Sequence, residues 1–138
     1  MADYLLDSSF LIAYFNEVAD RNKGPVRSFR ATLPVRSRLF ASIVSLAEML
    51  EGSDHPVEVE RELGRLVILL GLHQAHARRA GLMQRRARAA GVRLGENDAW
   101  IAATAAMTQL TLVGDDDRAF ANRPGVAYVN FRALSESP

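Results

Sequence analysis

The chain has 138 residues, 49% of them hydrophobic and 24% charged, with a net charge of +1, which supports one globular core and argues against a disordered chain. It has no cysteine, so disulfide frameworks, thiolate metal sites and cysteine nucleophiles are excluded, and a reducing cytoplasm is the expected setting. The longest strongly apolar run, Leu66 to Leu72, is far shorter than the ~20 residues that cross a bilayer, and the first residues carry Asp3 and Asp7 rather than the basic stretch of a secretory leader.

Tyr4-Leu5-Leu6 predicts a buried strand, Asp7-Ser8-Ser9 a polar turn, and Phe10 to Phe15 a helix capped by a short side chain. Gly24-Pro25 interrupts the chain before a second helix that reaches Leu33. Leu39 to Ile43 predicts another strand. Ser42 or Ser45 then caps a helix that carries Glu48 and stops at Gly52. Val59, Leu63, Leu66 and Val67 recur at helical spacing, so a helix from His55 runs directly into a buried strand, Val67 to Leu70.

Gln74 to Ala90 reads as a helix broken at Gly91. Arg78, Arg79, Arg85, Arg86 and Arg88 occupy one half of it, and Ala80, Met83 and Ala87 the other. Leu82 falls within the arginine half, a position that suits a subunit contact. Asn97 caps a helix from Asp98 to Thr108. Thr111 to Val113 is a strand, Asp115 to Phe120 a loop and short helix, and Val126 to Val129 a last strand. This alternation predicts an α/β fold with a mainly parallel sheet.

Charge is unevenly spread. Residues 61–93 hold eight arginines against one acid, Glu62, whereas residues 94–117 hold five acids and no base. Lys23 is the only lysine, and the planar arginine fork suits phosphate. Either compositional bias or a polyanion partner accounts for the pattern.

In open parallel sheets, ligands bind beyond the carboxyl ends of the strands. Asp7 follows the first strand, and Asp115, Asp116 and Asp117 follow the strand ending at Val113. Glu48 and Asp98 lie on helices that each follow a turn. Each acid alone has an ordinary role: a helix cap for Asp7, a solvated helix face for Glu48, a favourable helix start for Asp98, an exposed turn for residues 115–117. If the helices begin at the same sheet edge, four acids converge and repel one another. A divalent cation relieves that conflict. Oxygen donors without cysteine or a paired histidine motif select Mg²⁺ or Mn²⁺, the arrangement for metal-assisted phosphodiester hydrolysis. His73 and His76 lack the H-E-x-x-H pattern, and Gly91, Gly95 and Gly114 form no phosphate-cradling loop.

The joint pattern resembles a known family. Leu5-Leu6-Asp7-Ser8-Ser9 resembles the opening motif of PIN-domain ribonucleases, and Ser45-x-x-Glu48-Met49-x-x-Gly52 their second. Gly95-x-Asn97-Asp98-x-x-Ile101-Ala102-Ala103 resembles the third, and Leu112-Val113-Gly114-Asp115-Asp116 followed by Phe120 the fourth. The motifs fall within residues 3–131 of one expected nuclease domain spanning 1–138, most similar to compact toxins of the VapC type.

The resemblance implies a five-stranded, mainly parallel sheet with helices on both sides. It further implies Mg²⁺- or Mn²⁺-dependent RNA cleavage leaving a 5′-phosphate and a 3′-hydroxyl, a homodimer or higher oligomer, and inhibition by a small antitoxin. Asp7, Glu48, Asp98 and Asp116 are then the acidic site, with Asp7, Asp98 and Asp116 as metal ligands and Ser8, ahead of Ser9, supporting metal or phosphate. Asp116 is chosen over its neighbours because it precedes Phe120 by four residues. Arg85 and Arg86 are expected to guide RNA, because an acidic pocket alone repels a polyanion. The chain departs from the family at Gly114, where Thr or Ser is common, and at Ala119, where an acid is often found. The alternatives are a housekeeping RNA-processing nuclease or a non-catalytic RNA-binding or dimerising adaptor of the same fold.

Overall fold

A computed structural model describes residues 2–133. Its strands are β1 (Tyr4–Leu6), β2 (Leu39–Ser42), β3 (Ile68–Leu70), β4 (Thr111–Gly114) and β5 (Tyr128–Asn130). Its helices are α1 (Ser8–Asp20), α2 (Pro25–Ala31), α3 (Ile43–Glu51), α4 (Pro56–Leu66), α5 (Gln74–Ala89), α6 (Glu96–Thr108) and α7 (Asp117–Phe120). The strands form one sheet in the order β3-β2-β1-β4-β5, and every pairing is parallel. The sheet grows outward from β1 in one direction through β2 and β3, then in the other through β4 and β5. The reversal places a crevice between the carboxyl ends of β1 and β4, where such sheets bind ligands.

Successive residues of a strand face opposite sides of the sheet. Leu5 and Leu112 therefore join one core with Ala80, Met83 and Ala87 of α5 and the Ala-rich face of α6. Leu6 and Val113 join the other, with Phe10 and Leu11 of α1, Val26 and Phe29 of α2, and Leu63 of α4. The small side chains Ala99, Ala102, Ala103 and Ala105, all buried, let α6 lie close to the sheet. The α/β class and the two-sided arrangement are those the pattern predicts, with a sheet that is wholly parallel.

Several boundaries differ from expectation. Helix α1 continues past Phe15 to Asp20 and is turned off at Arg21, which adopts a left-handed φ of 54°. Ser42 is the cap of α3, its hydroxyl accepting from Val44 N at 3.0 Å. Ser45 is instead buried, and its hydroxyl meets no partner among the described residues. The last strand begins at Tyr128 rather than Val126. Helix α6 starts after Gly95, not Asn97, which leaves Asp98 at its third position. At α5, the His73 backbone N–H donates to His76 Nδ1 at 3.2 Å. His76 is buried, and burial, reinforced by His73, holds its pKa below the usual value, so the pair closes the helix start. Among the described residues no helix is long and apolar enough to cross a membrane.

Candidate active site

Asp7 leaves β1 at the crevice. Its backbone N–H donates to the Val113 carbonyl of β4 at 3.0 Å, which holds it at the sheet edge. Its side chain caps α1, with Oδ1 accepting from Phe10 N at 3.1 Å and from Ser9 Oγ at 2.5 Å. The residue is only 5% exposed. Burial pushes its carboxyl pKa up to about 6, opposed by the hydrogen bonds from Ser9 and Phe10 and reinforced by the charges of Asp115 and Asp98. Capping is thus real, but a cap alone explains neither the burial nor the neighbouring acids.

Helix α3 leaves the same edge directly from β2. That geometry turns Glu48 toward the start of α1, where Ser8 Oγ donates to Glu48 Oε1 at 2.7 Å. Ser8, expected to support metal or phosphate, is here the anchor of Glu48. Helix α6 joins β4 through only Gln109 and Leu110. So short a link makes it run antiparallel to the strand, so its first turn returns to the carboxyl edge with Asp98. Burial raises the Asp98 pKa, as do the charges of Asp116 and Glu48, while Arg123 opposes them. Arg123 is itself held by a 2.7 Å bond from its Nε to the Ala119 carbonyl.

The three adjacent acids after β4 separate. Asp115 accepts from Arg132 Nε at 2.8 Å. Asp117 accepts from Tyr128 OH at 2.7 Å and Asn130 Nδ2 at 3.0 Å. Asp116 caps the short α7, accepting from Ala119 N at 3.1 Å. Asp117 occupies the first turn of that helix. Asp116 and Asp98 share the wall of an open pocket of about 300 Å³, with Arg93, Gly95, Arg118 and Ala119.

Arg85 and Arg86 are exposed on α5 and do not line this pocket. The same turn of α5 is fastened to the start of α6 by Gln84, whose Nε2 donates to the Leu94 carbonyl at 2.9 Å. The arginines at the pocket itself, Arg93 and Arg118, were missed in the sequence reading. Their only sequence signal is position, just before Gly95 and inside the Asp116–Phe120 motif. A larger hollow of about 570 Å³ lies between α1 and α2, and none of the four acids lines it.

Among the described residues no three His, Asp or Glu side chains already surround a common point closely enough to hold a metal ion. The chemistry of the donors nonetheless fits one. They are hard carboxylate oxygens; the charges of Asp115 and Asp98 add to the rise in the Asp7 pKa, those of Asp116 and Glu48 add to the rise at Asp98, and Arg123 offsets the latter.

A family model of the PIN domain matches residues 4–126. The chain belongs to the PIN domain family. Solved structures share this PIN fold at low identity. VapBC2 from Rickettsia felis, bound to a DNA fragment from its promoter, aligns at a TM-score of 0.75 and 18% identity over 93% of this chain and 98% of that one. VapBC-1 from nontypeable Haemophilus influenzae aligns at 0.74 and 21% over 94% and 98%. VapBC-5 from Mycobacterium tuberculosis, described as a member of a family of toxin-antitoxin systems, aligns at 0.68 and 22% over 94% and 99%. No curated protein sequence matches the chain.

Proposed function

We propose that this PIN domain is a Mg²⁺- or Mn²⁺-dependent endoribonuclease, with residues 1–138 acting as one catalytic unit, and that it is the toxin of a toxin–antitoxin pair. The observation that carries the nuclease reading is Asp7: a carboxylate buried at the sheet reversal, with a pKa pushed up to about 6 and other acids adding to the shift. A buried acid with a perturbed pKa, set in a crevice beside other acids, is the arrangement expected of a functional site. The PIN family match supports the same reading.

Asp7, Asp98 and Asp116 are the proposed metal ligands. When bound, a divalent ion there supplies charge neutralisation at the scissile phosphate and a more acidic water. Glu48, with Oε1 fixed by Ser8, takes the proton of the attacking water through its other oxygen. Arg93 and Arg118, on the pocket wall, hold phosphates of the RNA on either side of the acids. Arg85 and Arg86 extend that basic track along α5.

The toxin reading rests on the fold shared with VapBC proteins. It makes a small antitoxin the partner, a homodimer the working form and the cytoplasm the place of action. The deciding experiment is cleavage of a labelled RNA by the full chain with Mg²⁺, Mn²⁺ or EDTA. Cleavage that EDTA abolishes and that Asp7→Asn and Asp98→Asn each reduce at least about tenfold is the expected result. Undiminished cleavage in EDTA overturns the metal-dependent reading. If a small gene lies beside this one, its co-expression should yield a co-purifying, inactive complex; the absence of such a gene, or failure of the two products to associate, favours the housekeeping alternative.

A further inference from the structure

Gly114 ends β4 directly beside the end of β1. A Cβ placed there would lie 2.5 Å from Asp7 Oδ2 and 2.7 Å from Asp7 Cγ. The Asp7 carboxylate therefore fills the space that any side chain at 114 would need. The glycine leaves that room to the carboxylate in its present position and adopts no unusual φ.

Ser9 supplies a hydroxyl at the same place. Its Oγ donates to Asp7 Oδ1 at 2.5 Å and accepts from the Asp115 backbone N–H at 3.2 Å. The directions are unambiguous, because an amide only donates and an ionised carboxylate only accepts. One hydroxyl thus links the acid after β1 to the backbone after β4, across 106 residues of sequence. The loop it holds is the one that carries Asp116.

We propose that Ser9 is a positioning residue of the acidic centre, its hydroxyl fixing the Asp7 carboxylate against the β4 loop in the space Gly114 leaves open, and so setting the affinity for a divalent cation. This inference rests on the metal-dependent reading above. Ser9 touches neither metal nor RNA in this role. Removing its hydroxyl leaves Asp7 Oδ1 with the Phe10 N–H alone and takes the acceptor from Asp115 N–H. Adding a methyl at 114 displaces the carboxylate by contact, with the hydroxyl still present. The two changes attack the same placement from opposite sides. Supporting groups of this kind are typically worth 10–100-fold in metal affinity.

The test is calorimetric titration of MnCl₂ into the full chain, comparing wild type, Ser9→Ala, Ser9→Thr and Gly114→Ala, with circular dichroism to confirm folding. RNA cleavage is followed in parallel as Mn²⁺ is varied. Ser9→Ala should weaken Mn²⁺ binding about tenfold and raise the Mn²⁺ needed for half-maximal cleavage to match, with KM for RNA at saturating Mn²⁺ unchanged. Ser9→Thr should restore binding to near wild type. Gly114→Ala should weaken it at least as much as Ser9→Ala, and it carries the test if Ser9→Ala does not fold. Wild-type Mn²⁺ affinity in Ser9→Ala or Gly114→Ala, or a Ser9→Thr variant as weak as Ser9→Ala, overturns the positioning role and leaves the nuclease reading standing. A wild-type chain that binds no Mn²⁺ overturns both, and is told apart because no variant is then needed to see it.

Discussion

Asp115, Asp116 and Asp117 have the same side chain and three different fates. Arg132 takes the first, Tyr128 and Asn130 take the third, and the middle one caps α7 and lines a pocket together with Asp98. Asp116→Asn should therefore lower RNA cleavage at least about tenfold, a loss of ~1.4 kcal/mol of transition-state stabilisation. Asp117→Asn should cost less cleavage and more thermal stability, since it frees β5 from α7. Single-turnover assays on all three variants at equal folded fraction check this; greater damage in Asp115→Asn or Asp117→Asn would show that the wrong acid was chosen. Asp7 adds a pH signature. Its pKa is about 6 when folded against an ordinary 3.8, so the folded chain holds this proton more tightly than the unfolded one. Its contribution to stability is full below the ordinary value and is lost as pH rises through about 6. Ionised Asp7 then costs roughly 3 kcal/mol at neutral pH. In EDTA, Asp7→Asn should melt higher than wild type at pH 7.5 and level with it near pH 4. Added Mn²⁺ should raise the melting temperature of wild type alone. A wild type at least as stable as the variant at pH 7.5 in EDTA removes the basis for a strained acid.

Among the elements, α5 and α6 decide where positive charge meets the site. The buried stripe of α5, Ala80, Met83 and Ala87, turns its arginines outward, and Gln84 ties its later turns to the backbone just before α6. That tie brings Arg93, in the connection between the helices, to the pocket, while Arg118 arrives from α7. A cation adds to the salt-dependent binding of RNA when it neutralises a phosphate directly, and more distant charges are screened. Replacing Arg93 and Arg118 by Ala should weaken RNA binding at low salt and flatten the salt slope by about 1.4, the value for two lost single-strand phosphate contacts. The Arg85→Ala, Arg86→Ala pair should have the smaller effect. Fluorescence anisotropy across a salt series distinguishes the two pairs, and an unchanged slope for Arg93 and Arg118 would remove them from the RNA track.

For the molecule as a whole, the sheet separates two cores, and the site depends on both holding their helices at one edge. Phe10 is fully buried and meets Phe29 and Phe131 edge-on, with ring centroids 5.9 Å and 5.1 Å away. It sits in the first turn of α1, just after Asp7, and packs that turn against α2 and the segment after β5. Phe10→Ala should cost ~3–5 kcal/mol and lower the urea midpoint accordingly. Leu5 is also fully buried but belongs to the opposite core, so Leu5→Ala should destabilise independently, the two effects adding within a few tenths of a kcal/mol. Strong non-additivity would mean that the sheet does not separate the cores energetically.

Much of this architecture is written locally. Tyr4 to Leu6 and Thr111 to Val113 are short apolar runs with polar residues at their carboxyl ends, and such runs alternating with helical periodicity allow little but a parallel sheet. The order of the acids along the chain, and their places at strand ends or helix starts, follow from the same local signals. Helix ends were less legible. The reach of α1 to Asp20, the start of α6 at Glu96 rather than Asp98, and the shift of β5 to Tyr128 were set by packing and capping that no short window reveals. The partners of the site lay further out of reach. Arg132 is 17 residues from Asp115, Asn130 is 13 from Asp117, and Ser9 is 106 from the amide it accepts from. A carboxylate's role depends on which group neutralises it and how far water is excluded from it. Both are properties of the assembled crevice, so the sequence by itself determined the sheet and the edge where the acids gather, and only the tertiary structure decided which acid is held, which is buried and which is left open to a ligand.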